Sequence, residues 1–480
     1  MPRRHIRVTG APETPLRAAL TELRTELGVP DSFPPAVLAE AERAARLPAL
    51  PARDATDIPF LTIDLHTSTD LDQAMHLSRR PGGGFRVRYA IADVAAFVVP
   101  GGTLDKETHR RVTTLYFPDG KTPLHPPVLG EDAASLLPGR TRPAALWTID
   151  LDTDGRTVTA DVHRALVRSH AKLDYEDVQR RLDAGTAEEP LALLKDIGEA
   201  RERLEIERGG ISLNVPEQEI VEDAHTCTLT YRAPFPAEGW NAQLSLLTGM
   251  AAADLMLTHG TGVLRTLPAA PDGAVGRLRR IAQALHIDWP HHVSYAALIR
   301  SLDPHRPHHA AFLQECTTLL RGAGYTVFHD GALPPITTHS AVAAPYAHCT
   351  APLRRLADRY ASEICLAAAA EQPLPDWVSA ALDALPKEMA AGGQRAGAAE
   401  RGSVDIVEAA LLKDRVGEVF EGCVVDVEEH RPTIGTVQLD TPAVVARIEA
   451  DGMPLPLGER LRVRLTRAEL GVAGVRFAPA

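Results

Sequence analysis

Three aspartates stand close together near the start of the chain: Asp64, Asp70 and Asp72 fall within the run TIDLHTSTDLDQA. An apolar strand is predicted to end at Asp64, and a short polar loop leads to the other two. Carboxylates that converge around one loop can bind Mg²⁺, which prefers oxygen ligands, can clamp a phosphate and lowers the pKa of a bound water. A solvated aspartate-rich turn that caps a helix has the same composition, so the spacing alone leaves both interpretations open.

Two adjacent arginines, Arg354 and Arg355, lie at the predicted start of a helix in the run YAHCTAPLRRLAD. Guanidinium groups present planar donors that match a phosphate, and a helix N-terminus adds its own partial positive charge. The alternative is a pair of surface arginines that form ion pairs with Asp358 and Glu363.

Two further residues, one aromatic and one acidic, lie in short motifs of their own. Tyr116 lies in the run TLYFP, and Glu400 lies in the run QRAGAAER. Stacking on an aromatic ring holds a single strand with little dependence on sequence. A tyrosine before a proline turn is as often a core residue, and Glu400 is equally compatible with a salt-bridged helix face.

In this order and spacing, the four motifs resemble those of the ribonuclease II (RNB) family over roughly residues 58–412. Asp64, Asp70 and Asp72 stand at the family's first three acidic positions, and Gln73 stands where a fourth aspartate is usual. In that family the first and fourth carboxylates hold the metal, and catalysis depends most on the third. The amide oxygen of Gln73 can still bind a metal, but the substitution removes one negative charge.

The resemblance implies a 3′→5′ exoribonuclease that hydrolyses single-stranded RNA to nucleoside 5′-monophosphates with Mg²⁺ or Mn²⁺. Arg354 would stabilise charge on the scissile phosphate, Glu400 would assist the leaving nucleotide and Tyr116 would stack on a base near the 3′ end. The alternative is a non-catalytic RNA-binding relative, for which Gln73 is the main argument. The implied roles are metal binding for Asp64, Asp72 and Gln73, catalysis for Asp70, Asp72, Arg354 and Glu400, and RNA binding for Tyr116 and Arg355.

The helices and strands that must position these residues can be predicted from the sequence. They indicate an α+β fold with three parts. Leucines 16, 20, 23 and 27 recur at helical spacing, and a second helix is predicted from Pro35 to Leu47. Residues 1–50 are therefore expected to form a helical segment, too short for the two cold-shock barrels typical of the family. The resemblance implies that residues 51–412 form the RNB catalytic domain, and the pattern predicts a mixed sheet over roughly 58–165 followed by helices over roughly 172–412.

Residues 413–480 are predicted to form an OB-type barrel, because about five short β-prone runs follow one another there. Four of these runs are 422–427, 435–439, 444–448 and 461–465. The barrel has nine basic and eleven acidic residues, and its only aromatic residues are Phe420 and Phe477. Since non-specific binding needs positive charge and stacking surfaces, we expect this barrel to bind RNA weakly.

The composition is that of a soluble protein, with 45% hydrophobic and 24% charged residues. The net charge of −12 argues against an RNA partner unless the positive charge lines a channel. No run of eighteen apolar residues and no secretory signal occur, so we expect no membrane association. The five cysteines are far apart, which is typical of reduced thiols, and we expect a cytoplasmic monomer.

Overall fold

The computed structural model describes residues 14–480 except 214–216, 224–225, 272, 305, 321, 429, 440 and 472–473. The helices are α1 (Thr14–Glu26), α2 (Pro35–Arg46), α3 (Thr103–Arg111), α4 (Tyr175–Asp183), α5 (Glu189–Arg208), α6 (Pro236–His259), α7 (Ala274–Ala284), α8 (Tyr295–Ser301), α9 (Pro307–Cys316), α10 (Leu356–Ala369), α11 (Asp376–Leu382) and α12 (Leu385–Leu412). The first strands are β1 (Phe60–Ile63), β2 (Gln73–Arg79), β3 (Phe85–Ala92), β4 (Leu115–Phe117), β5 (Gly120–Thr122), β6 (Thr141–Leu151) and β7 (Thr157–Leu173). The remaining strands are β8 (Glu217–Asp223), β9 (Thr226–Arg232), β10 (Gly262–Thr266), β11 (Gly324–Phe328), β12 (Thr338–His339), β13 (Ala344–Pro345), β14 (Val419–Glu428), β15 (Arg431–Leu439), β16 (Val445–Glu449), β17 (Arg460–Arg467) and β18 (Arg476–Pro479).

The first strands close into a barrel in the order β1-β2-β3-β6-β7. Neighbours pair antiparallel except β1 and β7, whose parallel pairing closes the barrel. Strand β7 is long enough to pair with β6 and then with β1. The barrel strands carry large side chains that are almost fully buried, including Tyr89 and Trp147, and both belong to the apolar cluster that the barrel shares with the helices. The predicted mixed sheet is thus a closed barrel, and its strand ends lie around common rims.

The helical half packs against this barrel through one apolar cluster. Leu193 and Ile197 of α5, Leu244 and Leu247 of α6 and Ile364 of α10 are buried in it together with barrel residues. Paired strands also occur in the region where we expected helices to dominate: β8–β9, β10–β11 and β12–β13. These short pairs connect helices and do not extend the barrel.

The N-terminal helices pack on two different parts of the molecule. Leu16 and Leu20 of α1 are buried against α12 and the C-terminal strands, whereas Val37 and Ala41 of α2 join the core beneath the first barrel. Leu23 of α1 packs directly against Gly402 of α12. A Cβ at position 402 would lie 2.7 Å from Leu23 Cδ1, which is too close for a larger residue without a shift. The segment is therefore integral to the fold.

The C-terminal strands form a second closed barrel in the order β14-β15-β16-β18-β17. Within the described residues, its only parallel pairing joins β16 to β18. This strand order and this parallel pair are those of an OB-type barrel. Phe420 and Phe477 contact each other edge to face inside it, with ring centroids 5.9 Å apart. Both rings are buried, so neither is available for stacking on a base. The predicted α+β fold with an OB-type C-terminal barrel is confirmed.

No helix in the described part of the chain combines the length and apolar content that crossing a membrane requires.

Gly249 of α6 packs against Tyr346 and Ala347, the first residues of the arginine motif. Its carbonyl oxygen accepts a hydrogen bond from the backbone N–H of Ala347, and a Cβ on Gly249 would lie 2.5 Å from the Ala347 oxygen and would overlap the Tyr346 ring.

We predict that Gly249→Ala lowers the free energy of unfolding by about 1–3 kcal/mol, because the crowded backbone must shift. Urea unfolding measures this. Gly393→Ala is the matched control, since Gly393 is an exposed helical glycine with open space around it; it should stabilise by up to about 1 kcal/mol. Equal effects of the two substitutions would contradict the prediction.

Candidate active site

The loop that carries the aspartates runs from the end of β1 to the start of β2 and is attached at both ends. The backbone N–H of Asp64 donates to the carbonyl of Leu173 at the end of β7. Lys172 donates from Nζ to the carbonyl oxygens of His66 (2.7 Å) and Ser68 (2.6 Å). At the other end, the N–H of Leu71 donates to Ser135 Oγ (2.9 Å). The parallel closure of the barrel therefore fixes the position of the loop.

Asp72 is the most buried of the three aspartates, with 2% of the residue exposed. Its Oδ1 accepts a hydrogen bond from the Leu353 N–H (2.8 Å), and its Oδ2 accepts one from Arg354 Nε (2.6 Å). Burial raises the pKa of the Asp72 carboxyl to about 7, although the Arg354 guanidinium and the Leu353 N–H both act to lower it. The aspartate loop and the arginine motif thus meet at a buried ion pair.

Arg354 lies at the centre of the acidic residues. Burial lowers its pKa, but the carboxylates of Asp72, Asp64 and Asp70 and the hydroxyl of Tyr116 outweigh this effect and raise the pKa well above its usual range. Arg354 donates a hydrogen bond to the Tyr116 hydroxyl. About a third of its side chain, 35%, remains exposed while the guanidinium is bound to Asp72.

The hairpin β4–β5 places Tyr116 and a lysine side by side. Tyr116 of β4 is the cross-strand partner of Lys121 in β5. Lys121 Nζ donates to Asp70 Oδ1 (2.8 Å) and lies 3.1 Å from Glu131 Oε1. Burial lowers the pKa of Lys121, but the hydrogen bonds and charges of Asp70 and Glu131 outweigh this effect and raise it. The lysine is therefore protonated and bound to one of the predicted catalytic carboxylates.

Asp64 and Arg355 are each engaged by nearby groups of the protein. Asp64 Oδ1 accepts hydrogen bonds from the Leu65 N–H (2.7 Å) and from Ser68 Oγ (2.8 Å). Arg355 forms a two-pronged contact with Asp358, at 2.9 and 2.8 Å, and Asp358 also accepts from the Ala351 N–H (2.7 Å). This is the ion pair with Asp358 that the sequence left as the alternative, and RNA binding by Arg355 remains a prediction.

Glu400 lies half-buried on α12. The neighbouring residues Ala396 and Ala399 pack against Leu115 and Phe117, the residues on either side of Tyr116. The helix that carries Glu400 therefore contacts the strand that carries Tyr116, which brings the last predicted motif to the same region of the molecule.

Gln73 opens β2 and is fixed by hydrogen bonds in both directions. Its Nε2 donates to the carbonyl of Thr350 (2.6 Å), and its Oε1 accepts from the Tyr89 hydroxyl (2.6 Å). Burial raises the pKa of Tyr89 far above its usual range, so the phenol stays protonated and donates. The amide therefore joins β2, β3 and the segment before the arginines, and a carboxylate at this position could not donate to Thr350.

Sequence reasoning missed Lys121 and Glu131, as well as the hydrogen-bond partners of Gln73. A signal for Lys121 was present: Asp119-Gly120 between two β-prone pairs is a strong hairpin sequence. A hairpin there places residue 121 opposite Tyr116. No comparable local signal marks Glu131, which lies in the wide turn Leu129–Ala133.

Comparison with known families adds an independent finding. Residues 52–370 match the family model described as the RNB domain, and residues 418–480 match the RNase II-type exonuclease C-terminal S1 domain. The chain belongs to the RNB family.

Proteins similar to this chain in sequence or in fold include nucleases and a pseudonuclease. Ribonuclease R of Escherichia coli is 28% identical over 470 residues, covering 88% of this chain and 57% of that protein. The chain thus spans little more than half the length of that curated relative. The fold of Mycoplasma genitalium RNase R in complex with ribose methylated single-stranded RNA covers 97% of this chain and 78% of that one, with a TM-score of 0.83 and 19% identity. The fold of yeast Ssd1, described as a pseudonuclease, covers 95% of this chain and 57% of that one, with a TM-score of 0.71 and 16% identity.

The arrangement of the RNB aspartates does not fit a divalent cation as it stands. Among the described residues, no three His, Cys, Asp or Glu side chains come together in a group that could hold a metal ion. Asp72 is bound to Arg354, and Asp70 is bound to Lys121. The oxygen of Gln73 accepts from Tyr89. Of the predicted ligands, Asp72 and Gln73 could bind an ion only after exchanging these partners.

The hydrogen bonds of Gln73 lead to a prediction about stability. Gln73→Glu replaces the donating amide by an oxygen that faces the Thr350 carbonyl, so we expect a loss of about 1–3 kcal/mol in the free energy of unfolding. Chemical denaturation at neutral pH measures the loss. Gln372→Glu makes the same chemical change at an exposed position and should change stability little. Wild-type stability of Gln73→Glu would mean that the contact with Thr350 contributes nothing.

Proposed function

We propose that this protein is an exoribonuclease that shortens single-stranded RNA from its 3′ end and releases nucleoside 5′-monophosphates. The observation that carries the proposal is the buried pair of Asp72 and Arg354, with Asp64, Asp70 and Tyr116 within electrostatic reach of the same guanidinium. Residues from the loop before β2, the hairpin β4–β5 and the segment before α10 meet there. Membership of the RNB family supports the nuclease activity.

Each side chain has a part that its surroundings support. Asp72 orients Arg354, whose exposed portion can bind the scissile phosphate and stabilise the negative charge that develops on it. Asp70 can orient the attacking water once Lys121 is displaced. Tyr116, next to Arg354, can stack on the base at the 3′ end. Glu400, on the helix behind Tyr116, would support the leaving nucleotide.

Magnesium is the proposed cofactor, with manganese as the alternative ion. An ion would supply charge stabilisation and activation of water. We assign no step to it, because the carboxylates are engaged by Lys121 and Arg354. We also propose that the protein acts on RNA as a monomer in the cytoplasm; the free thiols of Cys316, Cys349 and Cys365 are typical of a reducing compartment.

A second candidate function is RNA binding without hydrolysis. Two observations favour it: the amide of Gln73 is fixed by Thr350 and Tyr89, and the ammonium group of Lys121 neutralises Asp70. Both features leave the site with less negative charge for holding a divalent cation.

One assay separates the two candidates and tests the direction of degradation. A 5′-labelled single-stranded oligoribonucleotide is incubated with the protein and Mg²⁺ or Mn²⁺, beside the same oligonucleotide blocked at its 3′ end and a fully paired duplex. We expect stepwise shortening of the unblocked single strand only, with nucleoside 5′-monophosphates identified by mass spectrometry. Binding of the oligonucleotide without shortening in either metal would favour the non-catalytic candidate.

The proposed role of Asp72 predicts that Asp72→Asn lowers the rate of hydrolysis by at least about a hundredfold, as the loss of a single catalytic group commonly does. RNA affinity, measured by fluorescence anisotropy, should remain within a fewfold of wild type, because the change removes no positive charge. Asp376→Asn, at an exposed position in α11, serves as the control and should leave both values unchanged. Near wild-type hydrolysis by Asp72→Asn would show that the site is assigned to the wrong residues.

A further inference from the structure

We infer that Lys121 is a built-in counter-cation of the aspartate site, which takes the place of a metal ion at Asp70 and keeps the RNA-free site from binding divalent cations. This inference deepens the proposed function, since it rests on the assignment of Asp70 and Asp72 to the active site.

The contacts of Lys121 are those of a bound cation. Its Nζ lies 2.8 Å from Asp70 Oδ1 and 3.1 Å from Glu131 Oε1, so two carboxylates from different segments share one ammonium group. The side chains are only partly exposed, by 23% for Lys121, 14% for Asp70 and 29% for Glu131. The second oxygen of Glu131 accepts a hydrogen bond from Thr69 Oγ1 (3.1 Å), which fixes the acceptor beside the aspartate loop.

Contacts of the hairpin β4–β5 with α1 and α3 hold Lys121 in this position. Its hairpin is attached to α1 through an ion pair between Arg24 and Asp119 in the turn, and the Arg24 guanidinium also lies 4.2 Å from the centre of the Phe117 ring. On the other side, Arg111 Nη1 donates to the Pro123 carbonyl (3.2 Å). A hairpin anchored at its turn and at its exit keeps the ammonium group directed at Asp70.

The consequence for metal binding follows from charge. Four carboxylates, Asp64, Asp70, Asp72 and Glu131, surround this part of the molecule, and Lys121 and Arg354 offset two of their charges. A divalent cation that binds Asp70 must either displace the Lys121 ammonium group or remain within a few ångströms of it. Two positive charges that close repel each other strongly in a partly buried site. Removal of the Lys121 charge removes both obstacles.

Direct measurement of Mn²⁺ binding tests the inference without RNA and without reference to activity. Mn²⁺ is titrated into the full-length protein by isothermal calorimetry, and free Mn²⁺ is followed by electron paramagnetic resonance. The variants are Lys121→Met, which keeps the length of the side chain and removes its charge, and Lys121→Arg, which keeps the charge. Lys195→Met is the matched control, since Lys195 is exposed on α5 and pairs only loosely with Glu199, at 3.9 Å. Thermal unfolding of each variant checks that it is folded.

We expect Lys121→Met to bind Mn²⁺ at least about ten times more tightly than wild type, while Lys121→Arg and Lys195→Met match wild type. Three results would overturn the inference: wild type that binds as tightly as Lys121→Met, Lys121→Arg that binds as tightly as Lys121→Met, or no detectable binding by folded Lys121→Met. Because the readout is binding alone, failure of the exonuclease assay would leave these outcomes distinguishable from failure of the proposed function.

Discussion

The ion pair between Asp72 and Arg354 is the contact on which the arrangement of the site depends. It joins residues 282 positions apart in the chain, and its carboxylate is almost completely buried. A buried pair of this kind contributes little over an apolar contact, but loss of one partner leaves an uncompensated charge and costs about 3–5 kcal/mol. Its main effect is therefore positional, because any arrangement that separates the aspartate loop from the arginine motif buries a lone charge.

Hydrogen bonds around this pair extend the same constraint to the neighbouring segments. The Leu353 N–H shares Asp72 with Arg354, and the carbonyl of Arg354 accepts from the Thr114 N–H (2.9 Å), which ties the hairpin strand β4 to the arginine motif. Gln73, the next residue after Asp72, reaches Thr350 from the same loop. Two consecutive side chains, Asp72 and Gln73, thus join the aspartate loop to the arginine motif, and a backbone hydrogen bond joins that motif to the residue before β4.

The sequence located the candidate residues but could not predict what they contact. The apolar strand that the sequence predicts before the aspartate loop is observed as Phe60–Ile63, which ends one residue before Asp64, because a short apolar run between polar residues is a local signal. Closure of the barrel depends on parallel pairing of β1 with β7, for example Leu61 with Ala171, and no local pattern encodes that contact. In the same way, the amide of Gln73 is explained by a carbonyl 277 residues away. The sequence indicates that glutamine at position 73 removes a charged metal ligand. The structure adds that the same amide provides an N–H donor for the Thr350 carbonyl.

Two side chains, Gln73 in place of the family's usual aspartate and Lys121 beside Asp70, change the charge of the site in the same direction. An amide at Gln73 removes one negative charge, and the ammonium group of Lys121 offsets another. RNA carries a negative charge on every phosphate, so a fully acidic site without bound cations would repel the strand that we propose as its substrate. Arg354 and Lys121 together reduce that repulsion with groups that belong to the protein. In a chain with a net charge of −12, these two cations leave fewer uncompensated negative charges at the place where we propose that a phosphate binds, and they do so without a metal ion.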